Sequence, residues 1–94
     1  MRRSARVDNN HAEIVRVLRR AQCRVLDLSR VGFGCPDLLV YSPYVDRLLL
    51  VEVKDGSKPP SKQALTTAQR AFHSVWHVSI VTCPETALGV VGAV

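Results

Sequence analysis

Apolar and polar positions alternate with two different periods along this chain. From about Asn10 to Cys23 the apolar residues Ile14, Val17, Leu18 and Ala21 recur at i, i+3, i+4 and i+7, which predicts an amphipathic helix. "RVLDLSRVGFG" follows as a short strand-like run closed by a turn around Gly32 and Gly34. "DLLVYS" and "RLLLVEVK" are two apolar runs separated by "PYVD", whose Pro and Asp suit a turn, so they predict a hairpin. "DGSKPPSKQAL", with a glycine and paired prolines, reads as a flexible basic loop. A second helix is expected from Thr66 or Thr67 to about Trp76, with Ala68, Ala71, Phe72 and Val75 apolar and Trp76 in the core. "HVSIVTC" is a β-branched strand, and "PETALGVVGAV" is a weak last helix or a frayed tail.

The element order is therefore α-β-β-β-α-β, with a possible closing helix. Both faces of the hairpin are apolar: Leu38, Val40, Leu49, Val51 and Val53 on one, Leu39, Tyr41, Leu48 and Leu50 on the other. A sheet with two apolar faces is expected to be covered on both, in a three-layer α/β domain or by a second copy of the chain.

Three charged residues interrupt this apolar hairpin. A four-residue turn pairs Ser42 with Arg47, and the same register sets Asp37 directly opposite Glu52, with β-carbons about 5 Å apart. Lys54 follows Glu52 by two residues and points to the same face. Two carboxylates so close repel unless a cation or a proton lies between them, and oxygen ligands of this kind suit Mg²⁺ or Mn²⁺. Two plainer readings stand beside this one. Lys54 could simply pair with one acid, or a register slip of one residue would send Asp37 to the other face.

"CPDLLV…LLLVEVK" resembles the PD-(D/E)xK nuclease pattern, and "LVEVKDGSKPPSKQALTTAQRAFH" narrows the likeness to the VRR-NUC family, over about residues 8 to 85. The resemblance implies a restriction-endonuclease-like fold, a mixed sheet flanked by helices, with one divalent-metal site. It implies that Asp37, Glu52 and the backbone carbonyl of Val53 bind Mg²⁺ or Mn²⁺ and that Lys54 assists the attacking water. Glu13 matches the family's acid on the first helix, which approaches the metal, often through water. Asn10 with Glu13 also reads as a capping-box variant, which would explain Glu13 without chemistry. Gln69 matches the glutamine that orients the site, and Thr66 with Gln69 is again a capping box.

Charge adds a direction. The chain carries a net +5, and residues 1–30 hold eight arginines against three acids, while the remainder is balanced. Residues 1–8 read as a basic, flexible start. Concentrated arginine suits phosphate contact. Lys58 and Lys62, on the loop after Lys54, are placed to touch a bound strand, and Arg16, Arg19 and Arg20 spread over the outer side of the first helix. For any one of these arginines, plain solvent exposure is the simpler reading. His11, His73 and His77 show no metal-ligand spacing.

Ninety-four residues make one small domain. No apolar stretch approaches the roughly 18 residues of a membrane span, and no apolar segment follows the basic start as in a secretory signal. Three cysteines without a CxxC pair argue against a disulfide framework or structural zinc, and the reading is intracellular. The expected function is metal-dependent, structure-specific DNA cleavage. The resemblance adds a homodimer acting on branched DNA, four-way junctions above all. Alternatives are a flap or non-specific nuclease of the same family, a non-catalytic nucleic-acid-binding module, and a structural α/β protein whose charges pair among themselves.

Overall fold

A computed structural model of the chain describes residues 9–94, so the basic start at 1–8 lies outside the described residues. Four strands form one mixed sheet in chain order: β1 (Arg24–Asp27), β2 (Leu38–Ser42), β3 (Arg47–Val53) and β4 (Val78–Val81). The first two pairings are antiparallel and β3–β4 is parallel. Helices α1 (His11–Arg20), α2 (Pro60–Gln63), α3 (Thr67–His73) and α4 (Pro84–Val90) flank it. This is the expected mixed α/β architecture, with one extra helical turn and a formed last helix.

The hairpin keeps the register that its turn dictates, Ser42 opposite Arg47 and Leu38 opposite Val51. One slipped residue would exchange the two faces, so this pairing decides where every charged side chain goes. One face carries Leu38, Val40, Val51, Val53 and Val81, all buried, and α1 and α4 bury Ile14, Leu18, Ala87 and Val91 against it. Ser42 is also fully buried here, and its hydroxyl donates to the Val91 carbonyl at 2.5 Å. That bond removes the cost of an unsatisfied hydroxyl in an aliphatic core.

The opposite face is only partly covered. Leu26, Leu48 and Ile80 remain exposed there, so the single chain does not by itself supply the second covering layer. α3 buries none of its residues, and Trp76, expected in the core, is half exposed and stacks on Phe72 with ring centroids 5.8 Å apart. Hydrogen bonds and one backbone contact, described below, hold α3 in place of apolar burial.

Two local expectations change. Residues 60–63 are not loop but a helical turn, because Pro60 occupies the first helical position, where its fixed φ is preorganised and its missing N–H costs nothing. Of the two readings of "PETALGV", helix or frayed tail, the helix holds. Pro84 starts it, the Thr86 hydroxyl accepts from the amides of Thr82 and Cys83, and Ala87 packs into the core. α1 ends at Arg20, before the expected Cys23, and Gln22 takes a left-handed φ of 74°.

Candidate active site

The uncovered face becomes polar where β2 begins and β3 ends. Asp37 directly precedes β2 and so continues the register to a position opposite Glu52. Its main chain is fixed by the Leu28 amide, which donates to the Asp37 carbonyl at 2.7 Å. Its carboxylate accepts the Val53 amide at 2.8 Å, which aims it along the end of β3. Glu52 is 2% exposed and Lys54 8%; Glu52 is the penultimate residue of β3 and Lys54 follows its last residue, Val53.

Gln69 completes the cluster. Its Nε2 donates to Glu52 Oε2 at 2.9 Å, while its Oε1 accepts from Lys54 Nζ at 3.0 Å. The same Oε1 accepts the Thr66 amide at 2.9 Å, and the Thr66 hydroxyl accepts the Gln69 amide at 3.1 Å. The two readings of Gln69 are therefore not exclusive, since one side chain caps α3 and orients Glu52 and Lys54. Lys54 Nζ also lies 3.8 Å from Glu52 Oε2. A buried carboxylate and a buried ammonium are tolerated here because they meet each other and a shared amide.

The loop from β1 to β2 forms the wall of the site. A cleft of about 250 Å³ is lined in part by Gly32, Gly34, Cys35, Asp37, Thr66 and Gln69. Gly34, at φ 81°, is pressed onto α3 so closely that a Cβ there would lie 2.3 Å from the Ala68 carbonyl oxygen. No other residue fits, which explains the glycine of "GCPD".

Of the residues expected at the site, Asp37, Glu52, Lys54 and Gln69 come together, and Val53 is flush with them at the end of β3 with its side chain in the core. Glu13 does not join them in the contacts seen. It is exposed and lines another cleft with Asn10, Asp55, Ser57 and Thr82. Nor does it form the capping box with Asn10. The Asn10 carboxamide donates instead to the carbonyls of Lys54 (3.2 Å) and Thr82 (2.9 Å), tying the start of α1 to the ends of β3 and β4. Arg16 and Arg19 line a cleft with His11 and Asp27 on the α1 side of the sheet, and Arg20 is exposed. Lys62 is exposed and Lys58 half-buried on the segment leaving Lys54.

Cys35 escaped sequence reasoning as a member of the site, and His73, one turn after Gln69, reads from the sequence more simply as a surface or core histidine. Cys35 stands two residues before Asp37; burial, and then the charges of Glu52 and Asp37, push its thiol above the ordinary value. It is a neutral thiol at physiological pH. His73 follows Gln69 by one helical turn; burial, and then the Lys54 charge, push its pKa down. Its buried Nε2 has no hydrogen-bond partner among the described residues. The signal for both was spacing, i+2 along a strand entry and i+4 along a helix, but neither residue type is diagnostic alone.

Among the described residues no group of three or more His, Cys, Asp or Glu side chains is arranged to hold a metal ion. The donor set at Asp37 and Glu52 nevertheless fits one hard cation. Mg²⁺ is commonly held by one or two carboxylates and keeps several waters, whereas a dedicated cage of protein ligands is the exception. Comparison with known proteins finds no matching family model, curated protein or solved structure.

Proposed function

We propose that this chain is a divalent-metal-dependent endonuclease that hydrolyses phosphodiester bonds in branched DNA. The observation that supports it most is the cluster at the end of β3, where Gln69 bridges Glu52 and Lys54 while Asp37, just before β2, accepts the Val53 amide. Repelling carboxylates are worth keeping on one face only where a cation offsets them. Asp37, Glu52 and the Val53 carbonyl would hold Mg²⁺ or Mn²⁺. When bound, the ion supplies Lewis-acid polarisation of the phosphate and a more acidic water.

The chain's own residues then have distinct tasks. The Val53 amide fixes one Asp37 oxygen, and Gln69 fixes one Glu52 oxygen, so both carboxylates keep a single orientation. Lys54 carries three donors and engages Gln69 with one of them in the bonds seen here. Its ammonium is placed to orient the attacking water or to offset the charge that grows on the phosphate oxygens. Water adds to phosphorus in line, the ester P–O bond breaks, and the leaving oxygen takes a proton. Lys58 and Lys62 would meet the flanking phosphates.

Two copies acting together would suit a symmetric four-way junction, since each contributes one cut across a twofold axis. The half-uncovered sheet face supports a homodimer. Leu26, Leu48 and Ile80 are the kind of surface a second copy removes from water. The Lys54–Glu52 ion pair favours one other reading, in which the charges pair only for structure.

Cleavage of a synthetic four-way junction, beside matched duplex, flap and single-stranded DNA with Mg²⁺ or Mn²⁺, separates the readings. Paired symmetric cuts that disappear with Lys54→Ala are expected. Binding without cutting in either metal would leave a nucleic-acid-binding module. Neither binding nor cutting would leave the structural role.

A further inference from the structure

Phe33 is placed where folding gives it no reward. It is 94% exposed, so it contributes almost no apolar burial. Its φ of 58° is left-handed, a conformation that a bulky side chain adopts only at a cost, and its neighbours Gly32 (76°) and Gly34 (81°) show what such a turn ordinarily takes. The loop that carries it is nonetheless held in place. Val31 N–H donates to Leu28 O and Cys35 N–H to Gly32 O, each at 3.0 Å, and Gly34 is packed on the Ala68 carbonyl. The ring thus projects from a fixed support between two glycines that line the cleft containing Asp37 and Gln69. Arg30, exposed, is the one charged residue between Leu28 and Pro36.

We infer that Phe33 is a substrate-stacking residue, against which an unstacked base beside the scissile phosphate rests. This rests on the nuclease reading above. A base adjoins every phosphodiester, and where a branch point opens, its bases lose a stacking partner that an exposed aromatic ring can replace. An apolar ring on a cationic loop at the rim of the acidic pair matches that occupant: ring to base, Arg30 to phosphate, carboxylates and their cation to the bond cut. Phe33 would then select branched over continuous duplex DNA, where every base is already stacked.

The test uses a four-way junction with normal bases at the branch and the same junction with abasic sugars there. Ca²⁺ replaces Mg²⁺ so that binding is read apart from cutting. Wild type is expected to bind the intact junction at least fivefold, and up to about a hundredfold, more tightly than the abasic one. Phe33→Ala should bind both equally, near the wild-type abasic affinity, and Phe33→Trp should keep the preference. Phe33→Gly should melt no lower than wild type, because it relieves the turn, whereas a packing role would lower it. Equal wild-type affinity for both junctions, or discrimination that survives Phe33→Ala, overturns the inference even if the enzyme cuts junctions with Mg²⁺. Failure of wild type to bind any of these DNAs removes the nuclease reading and this inference together.

Discussion

The two faces of the sheet use the same strands for opposite purposes. Against α1 and α4, Leu38, Val40, Val51, Val53 and Val81 form a closed aliphatic layer in which the one buried hydroxyl, of Ser42, is bonded. On the other face Leu39 and Leu50 share the surface with Asp37, Glu52 and Lys54, α3 rests on hydrogen bonds, and Leu26 and Leu48 stay open. Apolar burial holds the first face, while directed bonds and charge organise the second. The lesson is that a small domain can afford a strained, charge-bearing face only because a single helical layer on the other side carries the fold.

Substitutions should therefore sort by face. The largest effect belongs to the polar face: Lys54→Ala is expected to slow single-turnover DNA cleavage by about 10²–10⁴-fold, a range typical of lost proton-handling or charge-offsetting groups. On the aliphatic face, Leu18→Ala should cost about 2–5 kcal/mol in urea unfolding, since Leu18 is fully buried and its truncation leaves a cavity. A loss of that size from any single residue of the polar face beyond its buried charges would break the division.

Gln69→Ala sharpens the comparison, because this residue belongs to both ledgers of the polar face. Loss of its bond to Glu52 should weaken metal affinity roughly 10–100-fold, measured by Mn²⁺ titration. Loss of the α3 cap should lower stability by about 1 kcal/mol in the same urea assay. Leu48→Ser, at a position 65% exposed, should change the stability of the isolated chain by no more than about 0.5 kcal/mol. The same substitution should shift sedimentation toward monomer if this face joins two copies.

The smallest effect is one of pH. Burial, and then the charge of Lys54, lower the pKa of His73, so the unfolded chain binds that proton more readily than the folded one. Its contribution is fully present above the unfolded value of about 6.5 and is lost as pH falls through the lower folded value. Thermal melting across that window should show the acid-side decline in wild type and less of it in His73→Gln.

How much of this was legible depended on how local each rule is. The turn "PYVD" fixed the register from Ser42–Arg47 to Leu38–Val51, continuing it by one residue brings Asp37 level with Glu52, and strand alternation puts Lys54 on the face of Glu52. The capping role of Gln69 was legible as a short-range pattern, whereas its place at the site came only from the resemblance, because no local rule brings α3 to the end of β3. Glu13 was harder. It lies at the border of the apolar stripe of α1, and the helix is set by Asn10 bonding to Lys54 and Thr82 rather than capping its own first turn. No helical period reveals such a tether. α4 was legible only as one of two alternatives, helix or frayed tail, because a seven-residue helix with a glycine has weak intrinsic propensity and owes its order to core packing of Ala87. The expected core role of Trp76 failed because it assumed that α3 would be held by burial.

The central claim, that the polar face is built around a cation between Asp37 and Glu52, is tested most directly by melting with and without Mn²⁺. Binding to the folded state alone raises stability by about 2.7 kcal/mol at a hundredfold excess over Kd. The account predicts a melting temperature that climbs with Mn²⁺ in wild type and stays flat in Asp37→Asn and Glu52→Gln. A flat wild-type curve, or an equal rise in all three proteins, would contradict it.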